Sequence, residues 1–158
     1  MVQRTFRASG RQHIYETVRH PGSCAILPIL SPSTLLLLRQ FRPSIGKTLW
    51  EIPAGTMERG ESPLCCARRE VEEETGYRAG RLTQLALFYP SPGFCTEVMH
   101  LFLAERLKPL SQRLEQDEKI RVHAVTFQKA FDLLRKGQIV DSKTVIALHL
   151  LRSQTPSH

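Results

Sequence analysis

Gly55-Thr56-Met57-Glu58-Arg59-Gly60-Glu61-Ser62-Pro63-Leu64-Cys65-Cys66-Ala67-Arg68-Arg69-Glu70-Val71-Glu72-Glu73-Glu74-Thr75-Gly76-Tyr77 holds glycine, glutamate and arginine at set intervals. Gly55 leads, Glu61 follows six positions later, and Arg69, Glu70, Glu73, Glu74 and Gly76 complete the series. These seven positions would match by chance with odds below about one in 10⁸ per register at average residue usage. Ser62-Pro63 reads as an N-cap followed by proline at the first helical position, where its missing N–H costs nothing. Gly76 is a natural stop just past a last turn. Between them the residues predict a helix of about 13 residues. At about 100° per residue, Glu70, Glu73 and Glu74 fall within roughly a 100° arc. Leu64, Ala67 and Val71 make the opposing apolar stripe. Three carboxylates on one face repel one another unless a cation sits among them. Hard oxygen ligands that can share the ion with water select Mg²⁺, with Mn²⁺ as its substitute, over Zn²⁺. A Glu-rich helix face taken alone is more often a solvated surface, and that reading suits Glu72. Arg69 could likewise neutralise Glu73 as an i,i+4 pair. Joined to Gly55, Glu61 and the spacing, the metal reading prevails.

The series matches Gx5Ex7REUxEExGU, with U a bulky apolar residue, which is the Nudix box. The chain therefore resembles the Nudix hydrolases, which use divalent metal to cleave pyrophosphate bonds in nucleoside diphosphates linked to another group. Tyr77 stands where an aliphatic residue is more usual. The resemblance implies an α/β/α sandwich with a mixed β-sheet. It also implies metal ligation by Glu70, Glu73, Glu74 and the backbone C=O of Ala54. Arg69 would orient the helix glutamates, and Glu61 would brace the loop.

Motifs outside the box narrow the substrate. Arg39-Gln40-Phe41-Arg42-Pro43, Glu51-Ile52-Pro53-Ala54-Gly55 and Ser91-Pro92-Gly93, with Glu97 four residues on, resemble the ADP-ribose pyrophosphatase branch. UDP-glucose and GDP-mannose pyrophosphatases share close variants of these. The likeness runs from about residue 14 to 152. It implies that Arg42 reaches a phosphate bidentately, with Glu51 also in the substrate site and Glu97 accepting from ribose hydroxyls. Tyr15 would stack on adenine, often from the partner subunit. Arg42 as a surface arginine, Glu97 as an ordinary polar residue at a strand start and Tyr15 as a core tyrosine are the plainer alternatives. The family often supplies its general base from an acidic loop between the last strands. Here that loop is Glu115-Gln116-Asp117-Glu118, with Glu118 the first choice of base and Glu115 the second, and such loops are commonly only solvated.

At 158 residues the chain suits one domain. Its net charge of +7, from 22 basic and 15 acidic residues, suits an anionic substrate. The basic residues are scattered along the chain, so nucleic acid is not expected. Cys24, Cys65, Cys66 and Cys95 form no CxxC pair or Cys/His ligand spacing, which argues against zinc. Free thiols imply a reducing cytoplasm. Residues 1–10 lack the apolar core of a signal peptide, and the longest aliphatic run, 35–38, is far too short to span a membrane.

Aliphatic and β-branched content predicts strands near 14–20, 24–30, 34–41, 49–52, 82–88, 98–105 and 120–127, and closing helices at 128–136 and 142–152. Residues 1–20 read as an N-terminal strand segment exchanged across a homodimer, and 21–158 as the Nudix domain. The expected activity is Mg²⁺-dependent hydrolysis of ADP-ribose to AMP and ribose 5-phosphate. Rival readings are another nucleoside diphosphate sugar, a nucleotide sensor that binds without cutting, and an RNA 5′-end pyrophosphohydrolase.

Overall fold

Strands β1 (Val2–Ala8) and β2 (Arg11–Thr17) form a hairpin with its own two-stranded antiparallel sheet. Ser9 and Gly10 turn the chain with φ of 51° and 76°. Two consecutive left-handed residues make the tight turn whose twist matches paired strands. The sequence pattern showed only a strand near 14–20. The partner strand β1 carries no burial pattern, because the hairpin is held by its turn and ladder, with almost none of its side chains buried. Phe6, Ile14 and Tyr15 all stand exposed on it.

The computed structural model describes residues 1–112 and 119–154. After the hairpin come β3 (Ser23–Ser31), β4 (Thr34–Arg42), a short 3₁₀ turn over Pro43–Ile45, β5 (Lys47–Glu51) and β6 (Ala54–Thr56). Helix α1 (Pro63–Thr75) follows, then β7 (Tyr77–Arg78), β8 (Arg81–Phe88), β9 (Met99–Glu105), β10 (Lys108–Pro109) and β11 (Ile120–Thr126). Helices α2 (Phe127–Arg135) and α3 (Ser142–Gln154) close the described chain. The main sheet runs β11-β4-β3-β9-β8, with β5 beside β4 and β6 beside β3. Within this sheet β3 and β9 are parallel, and the other strand pairs are antiparallel.

β3 is buried on both faces, and its period of two divides the core. Ala25 and Leu27 join Leu35, Leu37 and Leu101 under α2 and α3. Cys24 and Ile26 join Phe102 under α1, against Cys66, Ala67 and Val71. This is the mixed-sheet α/β/α sandwich expected from the sequence. β3 and β4 pair only near Ile29 and Ser31 and then diverge. β5 pairs with β4 and β6 with β3 on the inner edges of that wedge. The crossing segment Glu51-Ile52-Pro53-Ala54 is thereby set between the two central strands.

Helix α1 is capped as the sequence indicates. The Ser62 side chain accepts from Cys65 N–H at 3.2 Å, and Gly76, at φ 72°, ends the helix in the left-handed region. Its buried face holds Ala67 and Val71 as expected but departs at Leu64 and at the glutamates. Leu64 is 44% exposed, whereas Glu70 and Glu74 are 7% and 2% exposed beside Ala67 and Val71. The apolar stripe adjoins the glutamates and does not oppose them. Small side chains, Cys66 and Ala67, let the helix lie close on β3, and that closeness encloses the carboxylates.

Candidate active site

The wedge between β3 and β4 opens into a cleft of roughly 450 Å³. Arg42, Glu51, Ala54, Gly55, Glu97 and Lys143 are on its wall. Helix α1 stands directly behind Ala54 and Gly55. Glu74 Oε2 accepts the Ala54 N–H at 2.9 Å. The Glu70 carboxylate lies over Gly55 so closely that a Cβ there would sit 1.8 Å from its Oε1. Only glycine allows that approach. Glu73 is on the more open side of the helix, and Glu72 points away to accept from Arg78 Nε at 3.0 Å.

Arg69 ties the loop to the helix. Its Nε and Nη2 donate to Glu61 at 3.1 and 3.0 Å, and Nη1 donates to Glu70 at 2.6 Å and Glu73 at 3.2 Å. Nη2 also donates to the Thr56 carbonyl at 3.2 Å. One rigid guanidinium thus reads three carboxylates and a backbone oxygen, which its fixed fork of donors permits. Glu61 receives Arg69 and the Glu58 N–H, and both hold its carboxyl below the ordinary carboxylate value. The same contacts, Glu61 first, push the Arg69 guanidinium further up.

A second charge network is built on the opposite wall. Arg42 Nε and Nη2 donate to the two oxygens of Glu51 at 2.8 and 2.6 Å, a bidentate pair. Lys143 Nζ, from α3, donates to Glu51 Oε2 and, at 2.9 Å, to Asp141 Oδ1. Burial pushes the Glu51 carboxyl up, but Arg42 and Lys143 outweigh it and hold the group below its usual range. Glu51 in turn raises Arg42.

Glu97 accepts the Ser23 hydroxyl proton at 2.5 Å at the far edge of the cleft. The turn at Ser91-Pro92-Gly93 leads to it: Cys95 N–H bonds the Ser91 carbonyl at 2.9 Å, and Cys95 bridges to Val18. Tyr15 is 53% exposed on the hairpin and is not on the cleft wall. Glu115 and Glu118 lie outside the described residues. Lys143, Asp141 and Ser23 were missed by sequence reasoning. Asp141-Ser142-Lys143-Thr144 marks a helix start, but nothing local reveals that Lys143 meets a residue 92 positions away.

The NUDIX domain family model matches residues 19–148. The chain belongs to the Nudix family. Among Nudix relatives, it is 41% identical over 146 residues to an ADP-ribose pyrophosphatase of Bacillus subtilis (strain 168), covering 91% of this chain and 79% of that one. It is 38% identical over 148 residues to a methanol dehydrogenase activator of Bacillus methanolicus, covering 92% and 80%. A GDP-mannose pyrophosphatase of Escherichia coli (strain SMS-3-5 / SECEC) is 34% identical over 154 residues, covering 90% and 78%. The fold superposes on the crystal structure of an ADP compounds hydrolase with a TM-score of 0.82 at 26% identity, covering 92% of this chain and 80% of that one. Nudix hydrolases work with divalent cations. The Glu70 and Glu74 carboxylates, set against the Ala54-Gly55 backbone, offer hard oxygen, the donor type such ions require.

Proposed function

We propose that this Nudix protein hydrolyses the pyrophosphate bond of ADP-ribose, releasing AMP and ribose 5-phosphate, with Mg²⁺ as cofactor and Mn²⁺ able to replace it. The observation that carries the reading is the pairing of two opposed features across one cleft. A half-exposed arginine, Arg42, is on one side, and the glutamates behind Ala54 and Gly55 are on the other. A diphosphate needs both a cationic clamp and charge neutralisation close to phosphorus.

Glu70, Glu73 and Glu74 would hold the metal, with Ala54 contributing its carbonyl. When bound, the metal offsets diphosphate charge and lowers the pKa of the attacking water. Arg69 keeps the carboxylates oriented, and Glu61 anchors Arg69. Arg42 binds a phosphate while Glu51 fixes its guanidinium. Water adds to one phosphorus, the bridging P–O bond breaks, and the released phosphate takes the electron pair. Glu118, or failing it Glu115, accepts the water proton. Glu97 receives ribose hydroxyls at the Ser23 edge. The retained glutamates favour turnover over a sensor that only binds. The Escherichia coli relative supports a second reading, GDP-mannose, through the same diphosphate chemistry.

The exposed Phe6, Ile14 and Tyr15 support a homodimer in which the hairpin packs across a two-fold axis and Tyr15 faces adenine in the partner's cleft. Free thiols at all four cysteines support a reducing, cytoplasmic setting. Among the described residues, no helix is long and apolar enough to cross a membrane. A panel of ADP-ribose, GDP-mannose and UDP-glucose, with and without Mg²⁺, tests the assignment by AMP, GMP and UMP release. AMP should dominate, and chelation should abolish it. GMP as the main product would transfer the assignment to GDP-mannose, and no release from any of the three would refute it.

A further inference from the structure

Helix α3 is fastened to the end of β5 by two polar contacts that span the core. Thr144 Oγ1 accepts the Ile52 N–H at 2.9 Å, and Lys143 Nζ donates to Glu51 Oε2. Asp141 holds both residues in place, accepting from Lys143 Nζ at 2.9 Å and from the Thr144 N–H at 3.1 Å. Lys143 is 7% exposed and Glu51 1% exposed, so this is a buried ion pair. Buried pairs of this kind give little net stability compared with an apolar replacement, so stability alone does not account for one placed here.

Its position on the cleft wall does account for it. Arg42, Glu51, Lys143 and Asp141 alternate in sign and sum to zero charge. Arg42 is the member that reaches the cleft, with its side chain 37% exposed. Nε and Nη2 are taken by Glu51, and among the described residues Nη1 makes no hydrogen bond. Lys143 shares the negative charge of Glu51. Without it, Glu51 would either take up a proton and loosen its bidentate hold or spend its whole charge on Arg42. Either change weakens Arg42 toward an anion: the first loosens its orientation, and the second leaves the wall with a net negative charge facing a diphosphate.

We propose that Lys143 is a positioning residue for diphosphate binding, acting through Glu51 to keep the Arg42 guanidinium oriented and its charge available to an anion. This rests on the reading of the cleft as a diphosphate site. It makes the N-terminus of α3 part of substrate affinity, although that helix packs mainly under the opposite face of the sheet.

The test is steady-state kinetics on the full chain, using whichever nucleoside diphosphate sugar the wild type hydrolyses. Absence of wild-type turnover would defeat the diphosphate reading itself, separately from any result on Lys143. Lys143→Met should raise KM about tenfold, equivalent to about 1.4 kcal/mol, with kcat nearly unchanged. Lys143→Arg should recover most of the loss. In an Arg42→Ala background, Lys143→Met should add little further. A folded Lys143→Met with wild-type KM overturns the proposal. So does a full tenfold rise in the Arg42→Ala background, since Lys143 would then act without Arg42. If circular dichroism shows Lys143→Met unfolded, Glu51→Gln/Lys143→Met replaces it, because that pair removes both buried charges together. The double variant should fold with KM raised toward that of Arg42→Ala. A wild-type KM there, or a second failure to fold, overturns the assignment.

Discussion

Glu70 and Glu74 differ from surface glutamates in what surrounds them. Each is nearly enclosed, and each meets the Ala54-Gly55 backbone from behind the cleft. Glu70→Gln or Glu74→Gln removes one charge at nearly constant shape. Turnover should fall by more than about 100-fold, beyond the 10–100-fold typical of residues that only support metal ligands, while the melting temperature stays close to wild type. Near wild-type activity in both variants would remove these residues from the metal site. Glu51 gives a pH prediction at the same scale. Its folded pKa lies below the ordinary 4.5, because Arg42 and Lys143 outweigh burial. Its contribution to stability is therefore complete above pH 4.5 and is lost as pH falls through the folded value. Arg42→Ala removes one of the two groups holding that value down. Thermal melts between about pH 3 and 7 should show a shallower acid slope in the variant than in wild type. Identical slopes would mean that Arg42 does not depress Glu51.

At the scale of elements, the contact between α1 and β6 governs the site. The helix can approach because Cys66 and Ala67 are small and Gly55 has no side chain. A methyl at position 55 meets both oxygens of Glu70 within 2.5 Å, so the carboxylate must move. Gly55→Ala should cost about 1–3 kcal/mol, as for overpacking elsewhere, and should lower turnover more than Ala67→Gly, which leaves Glu70 in place. A melting curve and a rate at saturating Mg²⁺ check both halves. An active, wild-type-stable Gly55→Ala would show that Glu70 has room that the close approach denies it. The caps of α1 were legible in the residues: Ser62, Pro63 and Gly76 each act through local backbone chemistry. Its buried face was legible at Ala67 and Val71 but not in full, since Leu64 stands exposed while Glu70 and Glu74 are enclosed.

For the whole molecule, the exposed hairpin sets the main prediction. A two-stranded ribbon is marginal alone, and this one carries Phe6, Ile14 and Tyr15 in solvent. If it packs on a second copy and Tyr15 completes that copy's cleft, an impaired Tyr15→Ala chain mixed with an inactive Glu74→Gln chain should regain activity. One cleft of the heterodimer would combine an intact Tyr15 with an intact metal helix. Tagged pull-down verifies subunit exchange. Activity no greater than the sum of the parents, despite exchange, would mean that each chain completes its own cleft.

The Nudix series, the helix it forms and strands β3, β4, β5, β8, β9 and β11 were readable because they depend on neighbours in the chain. Caps, turns and the period of two act over a few residues, and Gly55 to Gly76 is one contiguous run. On the second wall of the cleft the motifs pointed to Arg42 and Glu51, but the link between them and Lys143 was not readable. Arg42, Glu51 and Lys143 come from three elements, and Lys143 meets Glu51 across 92 positions. Charge partners at that separation leave no periodic trace in a sequence. They are chosen by where β4 and β3 diverge and by how α3 closes over the wedge, which only the packed sheet decides.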